Sequence, residues 1–216
     1  MNLSSSNAVQ ILLLVGAITL VPAVLFTVTG FSRILIVLGF VRAGIGTTTE
    51  PPNQVLVGIA LFLTIFVMSP TISAIKTEAI DHTAYQPLEH HRINTATALH
   101  RAEQPLRVFM FKQTGDDELS LFVSLSKIPT PQTVGQIPTY VLIPAFIMSE
   151  LKTAFQIGFL IFLPFLIIDL IVSSTLMSMG MIMLPPTFIS MPFKILLFVL
   201  VNGWDLIARA LVESFH

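Results

Sequence analysis

The chain has 216 residues, 54% of them hydrophobic and 11% charged, with a mean hydropathy of +0.85. A soluble domain carries about 25% charged residues, so an ordinary water-soluble globule is excluded; the length would suit about four to six membrane-length helices instead. A formal net charge of −1 leaves no basic excess for a phosphate backbone, so no nucleic-acid partner is expected, and the absence of cysteine removes disulfides and thiolate metal sites.

Charge is unevenly placed. Residues 76–136 hold 13 of the 23 charged residues, whereas residues 1–75 hold three, Arg33, Arg42 and Glu50. The layout is apolar, polar, apolar. Residues 1–6 are uncharged and the first basic residue is Arg33, so no basic leader precedes the first apolar run. Either a signal has been removed or the first apolar segment stays in place.

In chain order, residues 9–31 are apolar but interrupted by Gly16, Pro22 and Gly30, and the run resumes at residues 34–41 after Arg33. One straight helix over residues 9–41 would extend about 50 Å at ~1.5 Å per residue, against a hydrocarbon core of ~30 Å. Pro51 and Pro52 end this arm, and residues 55–75 return, with a break expected at Pro70. Residues 1–76 therefore read as a first helical hairpin turning at Pro51-Pro52. Residues 77–138 form a polar, partly helical insert. Within it residues 94–114 read as an amphipathic helix with Leu99, Leu106, Phe109 and Met110 on one face. Residues 116–125 read as a short helix with Asp116 as N-cap, followed by a loop marked by Pro129, Pro131, Gly135 and Pro138. Residues 139–216 repeat the first plan: a long arm to Pro185-Pro186, then a shorter arm over residues 188–211. The fold class is all-α, with two long kinked hairpins. If each hairpin leaves and returns on the same side, both Pro-Pro turns lie at one end.

The second apolar half contains Glu150, Lys152, Asp169, Lys194, Asp205 and Arg209. A charge at bilayer depth costs at least ~2.5–3.5 kcal/mol and usually faces protein or a water-filled path. These groups are expected to be buried or to meet other subunits, either as structural pairs or as a relay. Counting from the Pro-Pro turn, Lys194 lies about 8 residues beyond it, Asp169 about 16 before and Glu150 about 35 before. In a straight hairpin at ~1.5 Å per residue, Asp169 is then roughly 12 Å and Glu150 about 40 Å out of level with Lys194. Lys194 is therefore expected to pair across a subunit boundary, with Glu150 favoured and Asp169 the alternative through a bend at Pro164. His90 and His91 are a weak metal candidate, because adjacent helical residues point about 100° apart. No metal or other cofactor is expected. Five of the nine methionines, Met177, Met179, Met181, Met183 and Met191, crowd around the second turn. Such a cluster is either adaptable packing or a flexible apolar constriction.

Several stretches occur together in one order: PPNQVLVGIALFLT (51–64), AYQP (84–87), QPLRVFMFKQT (104–114), SELKTAFQIGF (149–159), LPFLIIDL (163–170), GMIMLPP (180–186) and PFKILLFVLVNGW (192–204). In these the chain resembles the FliP proteins of the flagellar type III export gate, which have relatives in virulence injectisomes. The resemblance implies that several copies pack side by side with two other small gate proteins. Together they form a tapered helical pore in the bacterial inner membrane, at the flagellar basal body, that passes unfolded export substrates. It also implies that much of the apolar surface faces neighbouring subunits, and that the positions of Met181, Ile182 and Met183 form a gasket around the closed pore. Isoleucine at the middle position keeps volume and apolarity but loses flexibility. Pro185-Pro186 and the threonine of SELKTAF resemble the flagellar branch.

The alternative is a small ion or solute transporter using Asp169 or Glu150 as its coupling site. An intramembrane enzyme is not expected, since the apolar segments carry no Ser/His dyad, His-Glu metal motif or paired aspartates.

Overall fold

The computed structural model describes residues 12, 15, 16, 19, 22–47, 49–78, 95–129, 131, 133–181 and 183–215, with the backbone alone described at 95–99. Among the described residues the regular structure is entirely helical. In chain order the helices are α1 (Pro22–Val28), α2 (Phe31–Ile45), α3 (Asn53–Lys76), α4 (Thr95–Gln113), α5 (Asp116–Leu125), α6 (Thr139–Ser178), α7 (Pro186–Leu200) and α8 (Gly203–Glu213). A 3-10 turn at Val134–Gln136 precedes α6.

The central element is α2. Phe31, Ile34, Val37, Leu38, Val41 and Ile45 are buried, and their spacing of three and four residues turns one continuous stripe inwards. Burying each of these large side chains stabilises the fold by about 1.5–3 kcal/mol. The stripe lies along α6, and the two helices run parallel: Arg33 meets Glu150, Phe40 meets Phe155 edge-on at 5.5 Å, and Gly44 meets Phe165. Close approach depends on Gly158, where a Cβ would overlap the Phe40 ring.

Gly46 closes α2 in the left-handed conformation at φ 90°, which glycine adopts without a Cβ penalty. Arg42, in the last turn, donates to Asn53 Oδ1 at 2.6 Å and so bridges α2 to the start of α3. α3 then runs back against α2 and α4, with Leu56, Ala60, Thr64, Val67 and Met68 buried. α6 ends at Ser178, and α7 returns antiparallel to it from Pro186. Both Pro-Pro turns lie at the same end of the molecule. Gly46 is level with about residue 167 of α6, so the second turn projects beyond the first by ~15 Å at 1.5 Å per residue.

Three expectations change. Pro70 does not break α3, and Pro144 and Pro164 lie inside the unbroken 40-residue α6. An internal proline removes one hydrogen bond but need not end a helix whose neighbours hold it. The sharp bends lie elsewhere: 84° between α1 and α2, and 66° between α7 and α8, where Asn202 takes φ 51°. The returning arm is thus two helices rather than one. Finally, Gly115 occupies the N-cap of α5 and Asp116 is its first residue. Asp116, Asp117 and Glu118 instead place negative charge in the first turn, where the helix dipole favours it.

Among the described residues two helices, α3 and α6, are long and apolar enough to cross a membrane, or up to four spans if each bent pair counts as one. At about 60 Å, α6 is twice the thickness of a hydrocarbon core. Its outer face and that of α7 carry exposed Phe155, Phe159, Leu170, Phe188, Phe193 and Leu200. Continuous apolar surface on this scale is a surface for lipid or for other subunits.

Candidate functional site: a charged hub and an apolar tip

Ser149, Glu150 and Lys152, one helical turn of α6, join the polar insert to the apolar arms. The Ser149 hydroxyl donates to the Gln113 carbonyl at 3.1 Å and accepts the Gly115 N–H at 3.0 Å, so it fastens the corner between α4 and α5. Lys152 reaches outwards to Glu118 on α5 at 2.7 Å and to Asp117 at 3.9 Å. It is half exposed rather than buried, and its partners belong to the same chain.

Glu150 points the other way, into the core. It is 1% exposed and forms a two-point pair with Arg33, itself 2% exposed: Arg33 Nε donates to Oε2 at 2.9 Å, and Nη2 donates to Oε1. The remaining guanidinium protons go to the Ser214 carbonyl at 2.7 Å, Ser214 Oγ at 3.2 Å and Gln113 Oε1 at 3.1 Å. All five donors of this arginine are therefore engaged. Gln113 Nε2 donates to the Phe215 carbonyl at 2.9 Å, and the Phe215 ring lies 4.0 Å under the guanidinium. The hub thus ties α2, α4, α6 and residues 214–215 together.

Arg33 is the residue that reading along the chain misses, because there it appears only as an interruption of an apolar run. The usable signal was its isolation: a lone cation in an apolar arm needs an anion, and Glu150 is one of the few carboxylates inside the other arm.

Lys194 does not pair with Glu150. It is 3% exposed and donates to Asp169 Oδ2 at 2.6 Å within its own hairpin, while Ser190 Oγ donates to Asp169 Oδ1 at 2.6 Å. The levels match because the long helix ends at Ser178 and the returning one starts only at Pro186. Measured from the helix ends, Asp169 is nine residues before Ser178 and Lys194 eight residues after Pro186, or ~14 and ~12 Å. Lys194 Nζ also stands 3.7 Å from where a Cβ of Gly46 would be, beside the C-terminus of α2, where the dipole favours a cation. Glu150 is unavailable to it because Arg33 holds that carboxylate.

At the opposite end from the hub, the link after α6 forms the apolar tip. Met177, Met179 and Met183 are exposed, Met183 by 95%, and Met181 is exposed at 39%. Ile182 lies outside the described residues, as do His90, His91 and the AYQP stretch. Among the described residues no cluster of three or more His, Asp or Glu could hold a metal ion.

The Lys152 hydrogen bond holds the Glu118 carboxyl below its ordinary value. Since the folded value is the lower one, this contact stabilises α5 on α6 at neutral pH, and the stabilisation disappears as pH falls through the depressed value. Because Lys152 is half exposed, solvent screening keeps the effect small. Hydrogen-exchange protection across α5, taken relative to the intrinsic rate at each pH, should fall on acidification, and Glu118→Gln should remove that pH dependence.

Residues 14–211 match the FliP family. The chain belongs to the FliP family. It is 52% identical over 210 residues to the flagellar biosynthetic protein FliP of Bacillus subtilis, covering 97% of this chain and 93% of that protein. It is 50% identical over 209 residues to the FliP of Pectobacterium carotovorum, covering 97% and 79%, and 49% identical over 211 residues to that of Borreliella burgdorferi, covering 96% and 81%.

Proposed function

We propose that this FliP-family chain is a pore-forming subunit of the bacterial flagellar type III protein-export gate, passing unfolded flagellar proteins out of the cytoplasm. It would do so in the inner membrane, at the flagellar basal body, as several copies assembled with two other small gate membrane proteins. Residues 1–76 and 139–216 serve as its two helical hairpins and residues 77–138 as the insert between them. The observation that carries this reading is the tip: exposed methionines project beyond the first turn at the end of an α6 twice as long as a bilayer core needs. Side-by-side copies would cover the exposed faces of α6 and α7 and bring their tips into a ring. Met181, Ile182 and Met183 of each copy then form an apolar constriction, which stays closed by excluding water.

The carrier alternative is less well supported. Glu150 is held by Arg33, and Asp169 by Lys194 and the Ser190 hydroxyl, all of their own chain, and a coupling carboxylate must instead be free to exchange its ion.

Replacing Met181, Ile182 and Met183 together with alanine should leave the complex assembled and produce an ion leak across the membrane where the parent chain gives none. An intact complex with no leak would return the tip to simple packing. Purification in mild detergent should yield a large hetero-oligomer; a clean monomer or dimer would favour the carrier.

A further inference from the structure

The last helix is held in its bent position at both of its ends. α8 turns an apolar stripe towards the body, with Ile207, Leu211 and Phe215 buried at intervals of four residues. Phe215 is the wedge at the end of this stripe. Its ring lies under Arg33, stacks on Phe109 at 6.4 Å, and fills the place where a Cβ of Gly30 would be. The backbone beside it is bonded on both sides, from Arg33 to the Ser214 carbonyl and from Gln113 to the Phe215 carbonyl. At the other end of α8 the chain turns 66° through Asn202, held left-handed at φ 51° and ψ 51°. An L residue rarely rests there, although asparagine tolerates it better than most.

The bend decides what the returning arm can do. α7 alone has 15 residues, ~22 Å of helix, which is too short for a ~30 Å core. In line, residues 186–213 would make ~42 Å, and the two helices together are apolar enough for a span. Asp205 and Arg209, exposed on the outer face in the bent form, would then sit ~28 and ~35 Å from the start of α7, at the far boundary of the core rather than inside it.

We propose that Ser214 and Phe215 form a latch that selects between these two forms of the arm. Seated in the Arg33–Gln113–Glu150 hub, which links them to α2 and α4, they keep α8 folded back against α3, in the form suited to packing within protein. Released, α8 swings about Asn202 into line with α7, in the form suited to spanning lipid. This stands independently of the gate reading, because it concerns one chain and its own hinge.

The chain has no cysteine, so Ser214→Cys supplies a single thiol at the latch, close in shape to the hydroxyl it replaces. Its labelling rate by a water-soluble maleimide is measured on the full chain, in membranes and in detergent. Asn202→Ala, which disfavours the left-handed hinge, and Phe215→Leu, which weakens the wedge, should each raise that rate on the order of tenfold by increasing the population of the open form. Asn202→Gly, which accepts the hinge conformation, should leave it at the parent rate. Parent-rate labelling in Asn202→Ala overturns the proposal, even if Phe215→Leu proves too unstable to purify. So does acceleration by Asn202→Gly equal to that by Asn202→Ala, since the hinge conformation would then not be the cause.

Discussion

Arg33→Ala is expected to be the most damaging single change in the protein, costing about 3–5 kcal/mol of stability. The reason is what it leaves behind. Glu150 is 1% exposed and takes its two strongest hydrogen bonds from Arg33, so removing the guanidinium strands a carboxylate in an apolar core. The same change frees the Ser214 carbonyl and Gln113 Oε1 from their donor. Arg33→Lys should rescue little, because an ammonium cannot make the two-point bond to a carboxylate while serving three further acceptors. Glu150→Ala should cost a similar amount by stranding the cation. The double change Arg33→Leu with Glu150→Leu should recover part of the loss, since replacing both partners of a buried pair by apolar groups is often neutral. Thermal unfolding in mild detergent, followed by the single tryptophan, Trp204, would order these variants. A double change no better than either single one would mean that the pair adds net stability rather than avoiding a penalty.

At the second pair, Asp169→Ala should be more harmful than Lys194→Met, although both break one salt bridge. Lys194 is 3% exposed, while Asp169 is 31% exposed. Losing Asp169 leaves an ammonium with no access to water, at a cost approaching ~3 kcal/mol, the lower end of the range for breaking a buried pair. Losing Lys194 leaves a carboxylate that water reaches, with the Ser190 hydroxyl still donating to it, so about 1 kcal/mol is expected, as for a partly exposed pair. Methionine also preserves the length and apolar packing of the lysine stem. Unfolding midpoints of the two single variants test the asymmetry directly. Equal losses would show that the two groups are equally desolvated once the protein is surrounded by its partners, and that part of Asp169's exposure belongs to the isolated chain.

Composition and hydropathy by themselves determined that the chain is helical, that it cannot be a soluble globule, and that two apolar arms with Pro-Pro turns flank a polar insert. These features were legible because helix period, proline and charge distribution act locally. The motif order likewise determined the family, since each stretch is read residue by residue. Which charges meet was decided only by the tertiary structure. Arg33 and Glu150 are separated by 117 positions, and nothing local to either selects the other; the parallel packing of α2 on α6 does. Lys194 reaches Asp169 because α6 ends at Ser178 and α7 begins at Pro186, which counting along a straight hairpin could not reveal. The bends were illegible for the same reason. Pro70 and Pro164 carry the strongest local signal for a break, yet their helices are held continuous by neighbours. Asn202 carries a weak one and turns the chain by 66°, because the burial of Ile207, Leu211 and Phe215 against distant helices outweighs the backbone cost of a left-handed residue.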